Sequence, residues 1–263
     1  MAEAQQTTPR RVFRSSKYAA FNLLIARWLR GLSEPTEPYY YVTLGGTELY
    51  DITNVSWIDA RLVTAARSYE EDRQRFALAT TKSRSILSRG INVQVIQNDI
   101  FAYTREFNGK HLYFLDFEKT CAGDQCCMSF SQWFEADTVL PGDCLLITSY
   151  LGRNPGWERV LTPFEGEFRS LRVNLIEQQM KLYKIAHPLF LLYRALRDAG
   201  RDDSLKLNCI GLVKYFDTSS MGLYAFSCEA GRCDFGDSVN SLSVFDSVKR
   251  EWNNNWRRVV GIE

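Results

Sequence analysis

The chain has 263 residues, 45% of them hydrophobic and 24% charged, with a formal net charge of +1. That is the make-up of an ordinary globular protein, long enough for an α/β domain with additions. The near-zero charge excludes a chain drawn as a whole to nucleic acid or to an anionic membrane, so any such attraction rests on local patches. No apolar run reaches the roughly 20 residues that cross a bilayer.

The seven cysteines are odd in number, and the N-terminus MAEAQQTTPRR lacks the hydrophobic segment of a secretory signal. Both argue against a secreted disulfide framework, and the expected location is cytoplasmic. Residues 1–9 read as a disordered polar start. Residues 1–37 as a whole read as a basic arm and helix. Phe21, Leu24, Ile25, Trp28 and Leu29 recur at helical spacing, with Gly31 and Pro35 as the stop. Arg10, Arg11, Arg14, Lys17, Arg27 and Arg30 make it the most basic stretch of the chain. Such charge is either a solvated helix face or an arm that meets nucleic-acid phosphates. A protein partner is also open.

Residues 38–263 read as one doubly wound α/β domain. Residues 40–44 (YYVTL) suit a strand, and Gly45 and Gly46 follow at once, able to turn sharply and to let a ligand approach the backbone. Residues 48–58 carry Leu49, Ile52, Val55 and Ile58 at helical spacing. Residues 61–67 (RLVTAAR) read as a second strand ending in Glu70, Glu71 and Asp72. An acid there can accept the hydroxyls of a ribose, or merely cap the helix at 73–88.

Residues 92–96 (NVQVI) read as a third strand, followed by Asp99, Ile100 and Phe101. An acid beside an apolar pair can hold an adenine ring by its amino group and its face, or Asp99 can cap a short helix. Residues 111–117 (HLYFLDF) read as a fourth strand whose apolar and aromatic residues surround Asp116, with Glu118 in the same loop. A carboxyl in such company is costly unless it is paired or faces a cleft. Residues 143–150 (DCLLITSY) read as a fifth strand after the Pro141–Gly142 turn, ending at Tyr150.

About residues 158–203 read as a helical insertion on the substrate side, with Pro188 as a kink or boundary. Residues 205–216 and 221–228 then read as an antiparallel hairpin, strands six and seven, and residues 239–260 as an amphipathic helix. Cys121, Cys126 and Cys127 in CAGDQCC, and Cys228 and Cys233 in CEAGRC, leave gaps of four residues at the upper limit of zinc spacing. Reduced free thiols are the commoner explanation, and no metal is assigned.

Strand–helix units closed by a hairpin resemble a class I S-adenosylmethionine-dependent methyltransferase, a Rossmann-like family. LGG at 44–46 stands at its glycine loop, YEEDRQRFALA at 69–79 at its ribose acid, and QNDIF at 97–101 at its adenine motif. YFLDF at 113–117 and LPGDCLLITS at 140–149 are similar to the segments that follow. The resemblance implies a seven-stranded, mostly parallel sheet with S-adenosylmethionine as cofactor. It implies Leu44, Gly45, Gly46, Glu70, Asp99, Ile100 and Asp116 as cofactor residues, and Asp116, Glu118 and Tyr150 as catalytic ones. The first loop, LGGTELYD, has fewer glycines than the family's. The fourth strand, followed by DFEKT, lacks both the Asn/Asp-Pro-Pro-aromatic pattern of base amino methyltransferases and the cysteine motif of 5-methylcytosine enzymes. The acceptor is therefore open, with nucleic acid favoured. The pattern also resembles bacterial orphan and mobile-element methyltransferase-like proteins, including those of phage-defence loci. Two alternatives stay beside it: an inactive Rossmann-like subunit that binds a partner or nucleic acid in a larger complex, such as a phage-defence one, and an enzyme using another adenine nucleotide.

Overall fold

The computed structural model describes residues 20, 38–47, 49–53, 63–86, 91–117, 124–151, 179–216, 220–233 and 244–245. The strands are β1 (Tyr39–Thr43), β2 (Val63–Tyr69), β3 (Asn92–Ile96), β4 (His111–Asp116), β5 (Cys144–Tyr150), β6 (Leu205–Phe216), β7 (Ser220–Ala230) and β8 (Val244–Phe245). Between them, among the described residues, run α1 (Tyr50–Thr53), α2 (Arg73–Ile86), a 3-10 turn (Ile100–Ala102), α3 (Asp124–Glu135) and α4 (Gln179–Asp198). The eight strands form one sheet in the order β3-β2-β1-β4-β5-β7-β6-β8.

Every neighbouring pair is parallel except those made by β7, which runs against both β5 and β6. This is the doubly wound sheet with a closing hairpin expected from the sequence, with one correction. A further edge strand, β8, pairs with Leu212 and Val213 of β6. It lies where a tail helix was expected over 239–260; the rest of that span is outside the described residues. The strand order reverses between β1 and β4, and in such sheets that is where a crevice opens at the carboxyl ends.

Alternation along the strands divides the core in two. Tyr39, Tyr41, Leu112, Phe114 and Leu146 turn to one face and meet Leu49 just before α1, Ile52 of α1, and Ala79 and Ile86 of α2. Val42, Tyr113, Leu115, Leu145 and Ile147 turn to the other and meet α3 and α4 through Phe130, Trp133, Phe190 and Leu196. With both faces covered, β4 is buried along its length apart from its last residue, as a central parallel strand must be. Each large apolar side chain buried this way contributes about 1.5–3 kcal/mol.

Pro188 lies inside a continuous α4 and is not a boundary. Removing one ladder bond is outweighed by the buried run Leu189, Phe190, Leu191, Leu192, Ala195 and Leu196. This helix of the expected insertion lies on the sheet face beside α3. The N-terminal arm, apart from buried Ala20, is outside the described residues. Among the described residues no helix is long and apolar enough to cross a membrane.

Candidate functional site

The carboxyl ends of β1, β2 and β4 meet at the turn at Gly45 and Gly46, with β5 beside β4. β1 ends at Thr43, and the Leu44 amide donates to the Phe114 carbonyl of β4 at 3.2 Å. The Gly45 amide donates to Ser68 Oγ on β2 at 3.2 Å. Gly46 has φ +57, a conformation open to glycine at little cost. Gly45 is required for a different reason. A Cβ there would fall 2.8 Å from Leu49 Cδ2, 2.8 Å from Ser68 Oγ and 3.3 Å from Asp51 Oδ1. Gly45→Ala is expected to lower the unfolding free energy by about 1–3 kcal/mol through overpacking. Denaturant titration measures it, and an unchanged midpoint would mean that the turn relaxes freely.

Beneath this turn lies a buried polar cluster. Tyr41 OH donates to Asp51 Oδ2 at 2.8 Å and Thr43 Oγ1 donates to the same oxygen at 2.6 Å. Asp51, in the first turn of α1, is only 2% exposed, and among the described residues its Oδ1 has no hydrogen-bond partner. Burial raises the Asp51 carboxyl above its usual 3.8; the Thr43 and Tyr41 hydroxyls pull it back and the Asp116 charge pushes it further up. On the next strand Thr148 Oγ1, itself fully buried, donates to Asp116 Oδ1 at 2.9 Å and lies 3.1 Å from the Phe117 carbonyl. Asp116 is half-buried at the strand end, and Tyr150 ends β5 half-buried against the α1 side of the sheet.

The other expected residues divide. Glu70, half-exposed just past β2, accepts the Asp72 amide at 3.2 Å, and its own amide donates to Ile96 of β3 at 3.0 Å. Asp99 is exposed and caps the 3-10 turn, accepting the Phe101 amide at 2.9 Å. Ile100 is 2% exposed and belongs to the core with Tyr69 and Tyr103, while Phe101 stacks on Phe117 with centroids 6.1 Å apart. Leu44 packs, partly buried, on the same core. Glu118 lies outside the described residues.

No family model matches the sequence, and no curated protein matches it. Solved structures with a similar course of chain include a SAM-dependent methyltransferase of Leishmania major, 11% identical over 80% of this chain and 72% of that one, TM-score 0.44. Another is magnesium protoporphyrin IX methyltransferase of Synechocystis with SAH bound, 12% identical over 84% of this chain and 89% of that one, TM-score 0.42. A third, an O-methyltransferase family protein of Burkholderia thailandensis, is 16% identical over 83% of this chain and 60% of that one, TM-score 0.39. Likeness this distant carries no argument about chemistry, which rests on the residues themselves.

Those residues suit an adenosyl ligand in three respects. At Gly45 the packing leaves no room for a side chain and at Gly46 the left-handed φ favours glycine, so the turn is bare backbone that a ligand can approach closely. A carboxylate stands at the end of the second strand, where a ribose would lie. A buried carboxyl oxygen, Asp51 Oδ1, with no partner among the described residues lies directly under the turn. Asp51 is the residue that sequence reasoning missed. Its only sequence signal was an acid seven residues after the end of the first expected strand.

The described cysteines of the two motifs lie on different parts of the fold. Cys126 and Cys127 lie on α3, where Cys127 Sγ is 3.9 Å from the Leu191 carbonyl of α4, whereas Cys228 and Cys233 are buried at the end of β7. Among the described residues no group of three or more His, Cys, Asp or Glu is placed to hold a metal ion; Cys121 is outside them.

Proposed function

We propose that the chain is an S-adenosylmethionine-dependent methyltransferase, with nucleic acid the favoured acceptor class. The observation that carries this is the glycine turn at the strand-order reversal, flanked by carboxylates at the ends of β2 and β4. S-adenosylmethionine, when bound, supplies a sulfonium methyl already activated for transfer. The chain then has to hold donor and acceptor in line and remove one proton. Gly45 and Gly46 let the ligand approach the backbone, and Glu70 accepts the ribose hydroxyls. Asp99 serves the adenine edge from the turn it caps. Asp116, held by Thr148, takes the acceptor's proton, with Tyr150 beside it and Glu118 as a further base.

A thermal-shift titration with S-adenosylmethionine, S-adenosylhomocysteine, NAD and ATP tests the ligand class. A ligand at about a hundred times its dissociation constant stabilises the fold by about 2.7 kcal/mol. Glu70→Ala and Asp99→Ala are each expected to weaken binding by about 1.5–3 kcal/mol, the worth of a charge-assisted contact. Calorimetry that finds both variants binding like wild type would move the pocket elsewhere. The sparse glycines of the first loop favour a second reading, a binding subunit without turnover. Assays of methyl transfer from labelled cofactor to RNA, DNA and protein decide between the two.

A further inference from the structure

Asp51 is held in a way that ordinary structural carboxyls are not. Both nearby hydroxyls, Tyr41 and Thr43 of β1, donate to Oδ2, and among the described residues Oδ1 has no hydrogen-bond partner in a site 2% exposed. Oδ1 lies under Gly45, whose absent Cβ would meet it at 3.3 Å, with Leu49 and Ser68 of β2 around the same point. From β4 the Asp116 carboxylate adds like charge, felt at Asp51 and at Tyr41. A carboxylate desolvated on one oxygen, beside a second acid, is an expensive charge unless a cation arrives. The turn above it is where the proposed ligand would approach.

We infer that Asp51 is a neutral carboxyl in the ligand-free protein, and that a cationic ligand bound over the Gly45–Gly46 turn converts it to the carboxylate. The O–H bond of the Asp51 carboxyl breaks, its proton passes to the solvent buffer, and the charge left behind faces the bound cation. No electron is transferred. The inference rests on the cofactor reading, which supplies a ligand of the right chemistry: a sulfonium donor whose thioether product has lost that charge. The direction follows from the raised folded-state value, for which burial is the main cause. Below that value the free protein keeps the proton, and binding the sulfonium must displace it. Affinity for the donor therefore falls as pH falls, while affinity for the uncharged thioether changes less. Asp51 thus acts as a specificity residue, favouring the charged donor over the spent product.

The test is isothermal calorimetry on the full chain, from about pH 5 to about pH 8, in pairs of buffers that differ in ionisation enthalpy. S-adenosylmethionine is expected to release up to roughly one proton on binding at the acid end, S-adenosylhomocysteine clearly less, and Asp51→Asn none with either. Donor binding that shows no buffer dependence at any pH, or the same release from Asp51→Asn, overturns the inference. Carbon-13 NMR of the ligand-free carboxyls reads the first half alone. One carboxyl should titrate above the ordinary aspartate range and vanish in Asp51→Asn. If no such carboxyl exists, Asp51 is not neutral and the inference fails. If the carboxyl is present but neither ligand binds, the cofactor reading falls with the ligand half, and the neutral Asp51 stands. Should Asp51→Asn not fold, Thr43→Val replaces it. Removing that hydroxyl donor from Oδ2 should move the same titration to higher pH, and an unmoved titration counts against the assignment.

Discussion

Asp143→Ala is expected to lower the unfolding free energy by about 3–5 kcal/mol, because it strands a buried guanidinium. Asp143 lies just before β5, at the opposite end of that strand from Thr148, with its side chain fully buried against an Arg105 only 11% exposed. Its carboxylate accepts Arg105 Nη1 at 2.6 Å and Nη2 at 3.3 Å, the His111 amide at 2.7 Å and the Leu140 amide at 2.8 Å. One side chain therefore ties together the loop before β4, the first residue of β4 and the turn into β5. His111 completes the knot as a neutral ring, pushed down to about 4 by burial and then by the Arg105 charge. Its Nδ1–H points to the Gly109 carbonyl at 2.9 Å, so Nε2 accepts the Tyr103 hydroxyl at 2.7 Å. Alanine removes four accepted bonds and the counter-charge together. Urea denaturation should show a lower midpoint with an unchanged slope. At a strand rise of about 3.3 Å per residue the candidate site is roughly 15–20 Å away. Ligand affinity measured well below the melting temperature should therefore stay as in wild type. A loss under about 1 kcal/mol would mean that water or a shifted Arg105 replaces the carboxylate.

The parts of the fold that were legible in the sequence are those where local pattern and tertiary role agree. β3 and β6 have the bounds read from residues 92–96 and 205–216, because each is a β-rich run closed by turn residues. The parts that were not legible are those where residue type misleads. α3 went unread: Cys127, Phe130, Trp133 and Phe134 form its buried stripe, but cysteines there suggest ligands before they suggest a core face. Pro188 suggests a break, yet the apolar residues after it keep α4 continuous. Of the site, the glycine turn and the acids after β2 and β3 could be placed from order alone. Asp51 could not. An acid in the first turn of a short helix ordinarily faces water, and only the packing of α1 under β1 brings it to Tyr41 and Thr43. Those two residues share a strand face by their spacing, but which face the helix covers is a tertiary fact.

Asp116→Asn is the substitution that separates an enzyme from a binding module. Asp116 ends β4, is half-buried, and accepts the Thr148 hydroxyl at 2.9 Å through Oδ1. Asparagine has nearly the same shape, and its carbonyl oxygen can keep that bond. What it loses is the charge and the basicity. If Asp116 takes the acceptor's proton, the variant should fold and melt like wild type and bind S-adenosylmethionine with little change. Its turnover should fall by about a hundredfold to ten-thousandfold, the usual contribution of a positioned general base. That loss should appear in kcat more than in KM, since the interaction is made in the transition state. If Asp116 instead serves only to anchor Thr148 and the end of β5, the variant should lose stability, and any loss of ligand binding should follow that loss. The measurements are a melting curve, a calorimetric titration with the cofactor, and labelled methyl transfer to whichever of RNA, DNA or protein accepts it. A variant that transfers as fast as wild type removes Asp116 from the chemistry and passes the proton to Glu118 or Tyr150. A wild type that binds the cofactor yet transfers to none of the three acceptors favours the binding subunit.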